Sequence, residues 1–234
     1  MAGYNVTVSI DGATRDYLMG HSYSMYVFKG VQAGGGAVST VWQTITGQQL
    51  YGQATNVINW TENFYIGETQ VQMTNGATIT GTAPYNGADG NPAPVALGKL
   101  YTYDTTGWQP QPKPGPQPQS FAITNLPKQT NNFYVSQNDS GQYIVVQNLV
   151  GNGGLGTFQP LESIAILLAT QSYDTGTLII QTYTPGIIAM LSGQAPNVQV
   201  AYNVNTGWSG PGNQTKNIGA VDSMYDALIN ATPG

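Results

Sequence analysis

The chain contains no cysteine. It therefore has no disulfide bonds, no thiol nucleophile and no thiolate metal site. His21 is the only histidine, and no cluster of carboxylates accompanies it along the chain. Metal centres in proteins need several His, Cys or clustered acidic ligands. We therefore expect neither a metal nor another cofactor.

Charged residues are almost as scarce, at 7% of the chain, whereas about 25% is usual in soluble domains. The six Lys and Arg residues are scattered. Binding to phosphates or to an anionic membrane needs clustered cations, so a nucleic acid partner and polybasic membrane recruitment are not expected.

Long apolar segments are absent as well. The longest run, Ile164–Ala169, is far shorter than the roughly 20 residues that span a bilayer. We expect no stable transmembrane segment. The first residues lead straight into an alternating pattern, without a basic segment followed by an apolar run, so no signal peptide is expected there. The sequence is compatible with a cytoplasmic protein and with one exported by a non-classical route.

What the chain does have is 40% apolar residues, including fifteen Tyr and four Trp, in alternating runs. Tyr4–Ile10 and His21–Phe28 alternate apolar and polar residues with a period of two, which is typical of half-buried strands. Ile164–Thr170 is almost entirely apolar and predicts a strand buried on both faces. Strands at intervals of 8–12 residues with turn residues between them indicate an all-β sandwich or barrel.

A proline-rich segment, Gln109–Gln119, divides the chain. Its five prolines alternate with polar residues or glycine, which predicts a semi-rigid polyproline-II linker. Thr106-Gly107-Trp108 precedes it, and Thr206-Gly207-Trp208 follows one hundred positions later. We therefore predict two related antiparallel β-sandwich (jelly-roll-like) domains, residues 1–108 and 120–234, joined by linker 109–119. One joint barrel is the alternative.

One segment has a different period. Asn217–Asn230 places apolar residues at helical spacing, and Asp222 lies in its first turn. This pattern predicts a C-terminal amphipathic helix that docks on a sheet or covers a sheet edge. The polar face lacks the basic residues of a membrane-surface helix.

Catalytic patterns are weak. His21 has Ser22 and Asp16 nearby, but a lone His at the head of a strand is more often structural than part of a triad. Glu62 and Glu68 flank an aromatic strand, yet residues six apart in one strand lie about 20 Å apart, which is too far for a glycosidase pair. Asp89 is a single acid in a Gly/Asn loop, too few for calcium. A non-enzymatic protein is therefore expected.

The neutral residues that replace the charges suit hydroxyl-rich ligands. Amide groups hydrogen-bond to sugar hydroxyls, and aromatic rings offer flat apolar surfaces to a pyranose. We therefore expect a lectin-like protein with two binding-competent halves, whose partners are glycans or glycoconjugates. The candidate ligand-binding residues lie around the two Thr-Gly-Trp sequences: Tyr103, Asp104, Trp108, Tyr202, Asn203, Asn205 and Trp208. The alternative is that both Trp side chains are hydrophobic plugs.

Two other functions fit the same composition, which resembles that of soluble microbial or fungal lectins and β-rich toxins. A β protein with few charges has little to prevent strand addition, so self-assembly into a homo-oligomer is one alternative. A pore-forming or membrane-damaging toxin is the other, with Gln70–Thr82 as the segment that resembles a pore-lining hairpin.

Overall fold

The computed structural model describes residues 3–138 and 141–232, which form three β-sheets and three short helices. The all-β prediction is confirmed. The strands, in chain order, are β1 (Gly3–Ile10), β2 (Ser24–Gln32), β3 (Val38–Ser39), β4 (Gln43–Ile45), β5 (Thr55–Thr61), β6 (Tyr65–Thr69), β7 (Ala83–Pro84), β8 (Lys99–Asp104), β9 (Gly107–Trp108), β10 (Lys113–Pro114), β11 (Phe121–Asn125), β12 (Asn131–Ser136), β13 (Tyr143–Leu149), β14 (Gly154–Ala169), β15 (Gly186–Met190), β16 (Asn197–Asn203), β17 (Gly207–Ser209) and β18 (Thr215–Ile218). The helices are α1 (Gly12–Gly20), α2 (Gly47–Tyr51) and α3 (Met224–Ile229).

The largest sheet, with nine strands, is built around β14. This 16-residue strand pairs antiparallel with β11 near its start, and with β2 and β15 further along. Its segment Ile164–Leu168 is buried throughout, as the apolar run predicted. A strand with neighbours on both sides and both faces covered has no solvent face, which explains the loss of alternation.

A four-stranded sheet has the order β17-β16-β1-β5. Here the alternation of the sequence is kept, because one face packs on the core and the other faces solvent. Tyr4, Val6, Val8 and Ile10 of β1 are all buried. β1 runs antiparallel to β5 but parallel to β16.

Every sheet combines strands from before and after the proline-rich segment. β1 pairs with β16, β2 with β14, and β6 with β12. The third sheet, with five strands, has the order β3-β13-β12-β6-β7. Two pairings, β1 with β16 and β8 with β11, are parallel. The predicted pair of antiparallel jelly-roll sandwiches is therefore not confirmed, because strands that are distant in sequence bury their apolar faces together.

The proline-rich segment lies against β8. Within it, β10 pairs antiparallel with Lys99 and Leu100. The N–H of Gly115 donates to the carbonyl of Gly98 at 2.7 Å, and Tyr85 Oη donates to the carbonyl of Pro110 at 3.1 Å. Proline is tolerated at such an edge because its missing N–H faces away from the ladder.

Helix α1 begins directly after β1, at Asp11-Gly12, a dipeptide that is also typical of turns. The Asp11 carboxylate instead caps the helix and accepts a hydrogen bond from the N–H of Thr14 at 2.9 Å. This bond lowers the pKa of the Asp11 carboxyl below its usual value. None of the helices in the described ranges combines the length and the apolar character needed to cross a bilayer.

The C-terminal helix is shorter than predicted. It covers only Met224–Ile229, with Ser223 as its N-cap, and buries Met224, Tyr225 and Leu228. The first two residues of the predicted helix, Asn217 and Ile218, instead end strand β18, which pairs with β15. Pairing with an existing sheet edge outweighs the local helical spacing, because propensity is weaker than tertiary context.

Residues 70–82, the segment that resembles a pore-lining hairpin, contain no regular strand. One backbone bond, from Gln70 N–H to the carbonyl of Thr80, joins the ends of the segment. Val71 and Ile79 are buried in a small apolar cluster with Tyr134, Val146 and Leu178. The segment is thus packed against the rest of the protein in this structure.

Candidate functional site

The two Thr-Gly-Trp sequences form similar β-hairpins. In the first, β8 and β9 place Tyr103 opposite Trp108, and in the second, β16 and β17 place Tyr202 opposite Trp208. The ring centroids of these Tyr–Trp pairs lie 5.2 Å and 5.0 Å apart. The resemblance seen in the sequence therefore corresponds to a shared local structure, a hairpin with an aromatic cross-strand pair.

The polar residues among the ligand-binding candidates form hydrogen bonds that stabilise the hairpin turns. Asp104 accepts a hydrogen bond from the N–H of Thr106 at 2.7 Å, and Asn203 accepts one from the N–H of Asn205 at 2.8 Å. Asn203 also donates to Asp11 at 2.9 Å. Hydrogen bonds from Thr106 hold the pKa of the Asp104 carboxyl below its usual value. Because these groups are already bonded within the turns, they are less free to bind a ligand.

Trp108 packs inside an aromatic cluster. Its indole N–H donates to the carbonyl of Ala83 at 3.0 Å, and its ring lies 5.6 Å from Phe133 and 5.9 Å from Tyr85, centroid to centroid. Tyr103 belongs to the same cluster, 5.4 Å from Phe133. The first hairpin therefore matches the alternative interpretation, in which its Trp is a hydrophobic plug.

Trp208 has different surroundings. It is 6% exposed, and its indole N–H has no hydrogen-bond partner among the described residues. With Tyr202 it lines a cleft of about 700 Å³. Typical small-molecule sites have volumes of about 300–1,000 Å³. The structure thus brings two of the seven candidate residues to one concave surface.

The walls of this cleft come from elements far apart in sequence. They include parts of β2, the end of β14, the segment before β15, and the β16–β17 hairpin. The aromatic residues of the lining are Tyr23, Tyr26, Phe28, Tyr173, Tyr183, Tyr202 and Trp208. Its amides and hydroxyls belong mainly to Asn75, Thr170, Gln171, Gln181, Thr182, Thr184, Thr206 and Asn217. Among the described residues that line the cleft, none carries a charge.

A Gln-x-Tyr sequence occurs twice in the lining, ten residues apart. Tyr173 Oη donates to Gln171 Oε1 at 2.6 Å, and Gln181 Nε2 donates to Tyr183 Oη at 3.1 Å. In each pair the phenol orients the amide two residues before it, and the amide keeps further donor or acceptor capacity. Tyr183 is 77% exposed, the largest exposed fraction among the described large apolar and aromatic residues.

The side chains of two further residues, Tyr26 and Asn75, form hydrogen bonds that hold the backbone of the cleft walls in place. Tyr26 Oη donates to the carbonyl of Gln171 at 2.7 Å and accepts from the N–H of Tyr173 at 3.2 Å. Asn75 Oδ1 accepts from the N–H of Ile180 at 2.8 Å. The NH₂ group of the Asn75 side chain has no partner among the described residues, so it can donate a hydrogen bond to a ligand.

Two phenols of the cleft, those of Tyr173 and Tyr202, have shifted pKa values. Burial raises the pKa of Tyr173 and of Tyr202 above the ordinary value for a phenol, and neighbouring phenols add to this effect. At physiological pH the lining therefore offers hydrogen bonds and apolar faces without an ionic group.

The weak catalytic candidates lie elsewhere. His21 is exposed at the C-cap of α1, where its Nδ1 lies 2.8 Å from the carbonyl of Tyr17. Glu62 and Glu68 are not on one strand, because the chain turns between β5 and β6. Asp89 accepts from the N–H of Asn91 at 3.1 Å in a tight turn. The described residues contain no group of three or more His, Asp or Glu side chains arranged to hold a metal.

Most residues that line the cleft were not among the candidates predicted from the sequence. Gln171, Tyr173, Gln181 and Tyr183 lie in segments without regular strand structure, and only the fold brings them beside Trp208. One signal was available, since the Gln-x-Tyr sequence repeats on either side of Gly176. By itself, so short a repeat is not specific.

In comparisons with known proteins, no family model matches the chain, and no curated protein or solved structure is significantly similar to it.

Proposed function

We propose that the protein is a non-enzymatic, lectin-like protein that binds neutral glycans or glycoconjugates in the cleft beside Trp208. The observation that carries this proposal is the lining itself, which combines seven aromatic side chains with amides and hydroxyls and contains no charge among the described residues. A pyranose ring has apolar C–H faces and a rim of hydroxyls. Aromatic faces and oriented amides complement both parts.

The proposal gives the two hairpins different roles. The second hairpin contributes Tyr202 and Trp208 to the cleft, whereas the first packs Trp108 against Phe133 and Tyr85. One binding cleft per chain is therefore proposed, in place of the two equivalent halves expected from the sequence. Anionic sugars are expected to bind poorly, because no cation lines the cleft and the chain carries a formal charge of −5.

A glycan array followed by titration calorimetry on the best neutral glycan tests the proposal. Tyr183→Ala removes the most exposed ring of the cleft, and Gln181→Ala removes its bonded amide partner. Each is expected to weaken binding by about tenfold, which corresponds to about 1.4 kcal/mol.

The matched controls are Leu155→Ala and Gln119→Ala, which replace exposed side chains outside the cleft. Both are expected to bind the same glycan as the unaltered protein does. A folded protein that binds no glycan on the array would overturn the proposal, as would equal losses in the cleft variants and the controls.

A further inference from the structure

Strand β5 forms an open edge of the four-stranded sheet. In the order β17-β16-β1-β5, it is paired on one side by β1 and, within the described residues, on the other side by no strand. Its seven residues alternate exposed and buried side chains, so it is a regular, fully formed strand. An edge of this kind presents a row of backbone donors and acceptors to another chain.

The register shows which groups are free. Ile10 N–H donates to the carbonyl of Ala54 at 2.9 Å, and bonded and non-bonded residue pairs alternate along an antiparallel ladder. Thr55, Val57, Asn59 and Thr61 therefore occupy the non-bonded pairs with β1 and direct their N–H and C=O groups outward. The carbonyl of Thr61 accepts a hydrogen bond from the Gln137 side chain. This leaves three outward-directed residues, Thr55, Val57 and Asn59, whose backbone groups have no partner among the described residues.

The usual features that block such an edge are missing from β5. The strand Thr55–Thr61 contains no Lys, no Pro and no other charged residue, and its ladder with β1 has no register shift. Val57, at the centre of the three outward-directed residues, is 49% exposed. An exposed aliphatic side chain at the middle of an open edge is a favourable contact point for another strand.

We propose that β5 pairs antiparallel with β5 of a second copy of this chain, about a two-fold axis at Val57. In this register Val57 lies opposite its own copy, and Thr55 lies opposite Asn59 of the other chain. All three outward-directed residues then form bonded pairs, so each outward N–H and C=O finds a partner. The two exposed Val57 side chains cover each other at the centre of the contact.

The surface beside this edge permits the approach of an identical chain. Asn5 lies between Asn197 and Asn59 in one row across the sheet, and Thr7 lies between Gln199 and Val57 in the next. The residues of these rows are uncharged, so the paired strands bring no like charges of these rows together. A contact made by one seven-residue strand from each chain is expected to bury less than the about 1,200–2,000 Å² of a standard interface, so we expect a weak dimer that depends on concentration.

Sedimentation velocity of the full chain, without any ligand and over a wide concentration range, tests the dimer. The unaltered protein is expected to shift from monomer to dimer as its concentration rises. Val57→Lys places two like charges opposite each other and is expected to weaken association about tenfold or more. Val150→Lys changes a side chain that is 64% exposed outside β5, and it is expected to associate like the unaltered protein.

Cross-linking tests the register. Because the chain has no cysteine, Val57→Cys introduces one thiol per chain. Opposite residues of a bonded pair have Cα atoms about 5.5 Å apart, within the range for a disulfide. Oxidation is expected to give a covalent dimer with Val57→Cys and not with Val150→Cys. A monomer at every concentration, equal association of both Lys variants, or equal cross-linking of both Cys variants would each overturn the proposal.

Discussion

Lys29 Nζ lies 3.4 Å from Glu62 Oε1 and forms the only ion pair within the described residues. The Lys29 side chain is fully buried, whereas that of Glu62 is 26% exposed. The ammonium also lies 3.3 Å from the carbonyl oxygen of Leu161 and 4.9 Å from the centroid of the Trp60 ring. Lys29 belongs to β2 of the nine-stranded sheet, and Glu62 directly follows β5 of the four-stranded sheet, so this contact joins the two sheets.

Unequal burial predicts unequal effects of removing either partner. Glu62→Gln removes the nearest counter-charge of a buried ammonium and is expected to lower the free energy of unfolding by about 3–5 kcal/mol. Lys29→Met keeps an unbranched apolar side chain of similar length and leaves Glu62 partly in water, so a smaller loss is expected. Urea denaturation of both variants measures the difference. Equal losses would contradict this account of the pair.

The same pair gives Glu62→Gln a distinctive pH dependence. Burial lowers the pKa of the Lys29 ammonium, and the carboxylates of Glu62 and Glu162 offset this only in part. In the variant, the unfolded chain binds more protons than the folded chain between the lowered pKa and the unfolded value of about 10.4. Its stability is therefore expected to rise with pH in this window and to approach that of Lys29→Met. Denaturation at a series of pH values below 10 tests this, and a flat profile would contradict it.

The two similar hairpins predict different effects of Trp→Phe substitutions. Trp208→Phe is expected to weaken glycan binding about tenfold, because it reduces an aromatic wall of the cleft. Trp108→Phe is expected to keep full affinity, although it leaves the carbonyl of Ala83 without its donor and costs about 1–3 kcal/mol of stability. Calorimetry and thermal unfolding separate these effects. Loss of binding in the Trp108 variant alone would reverse the roles assigned to the hairpins.

Separate expression of residues 1–108 and 120–234 tests the domain division predicted from the sequence. Neither half is expected to fold alone, because each would expose strands that pair across the division, such as β1 with β16 and β8 with β11. Near-ultraviolet circular dichroism of each half and of an equimolar mixture provides the measurement. A cooperative thermal transition in either half would restore the two-domain prediction.

The proposed dimer and the proposed cleft together predict avidity. In the four-stranded sheet, the cleft lies beside β16 and β17, whereas the proposed dimer contact lies at β5 on the other edge. A dimer would therefore carry two clefts, one at each end. Val57→Lys is expected to keep the affinity for a soluble monovalent glycan and to lose much of the binding to a dense glycan surface. Val150→Lys is the control for both measurements. Equal retention of both variants on the surface would exclude an effect of avidity.

Local patterns in the sequence predicted the strands where local and tertiary preferences agree. The alternation of Tyr4–Ile10 and the apolar run at Ile164 both correspond to strands with the expected burial. The Thr-Gly-Trp repeat corresponds to a shared hairpin, because Gly107 and Gly207 adopt positive φ angles of 105° and 79°. Such turns depend on a few adjacent residues, and the sequence displays those directly.

Prediction failed where distant segments compete for the same residues. Asn217 and Ile218 begin the segment of helical spacing but belong to a strand, because β15 offers an edge with which they pair. Asp11-Gly12 resembles a turn, but the carboxylate of Asp11 begins a helix. Three of the seven ligand-binding candidates, Tyr103, Asp104 and Trp108, lie in the first hairpin, whose packing against Phe133 could not be known from spacing alone.

By itself, the sequence determined that this protein is built of β-strands, has a nearly uncharged surface and lacks the residues for thiol chemistry. These properties follow from composition and from a two-residue period, both of which are local. Only the tertiary structure decided that strands from both sides of the proline-rich segment share sheets, and that Gln171, Gln181 and Trp208 face one cleft. The reason is physical: pairing partners are selected by the apolar faces that must be buried together, and this selection does not depend on distance along the chain.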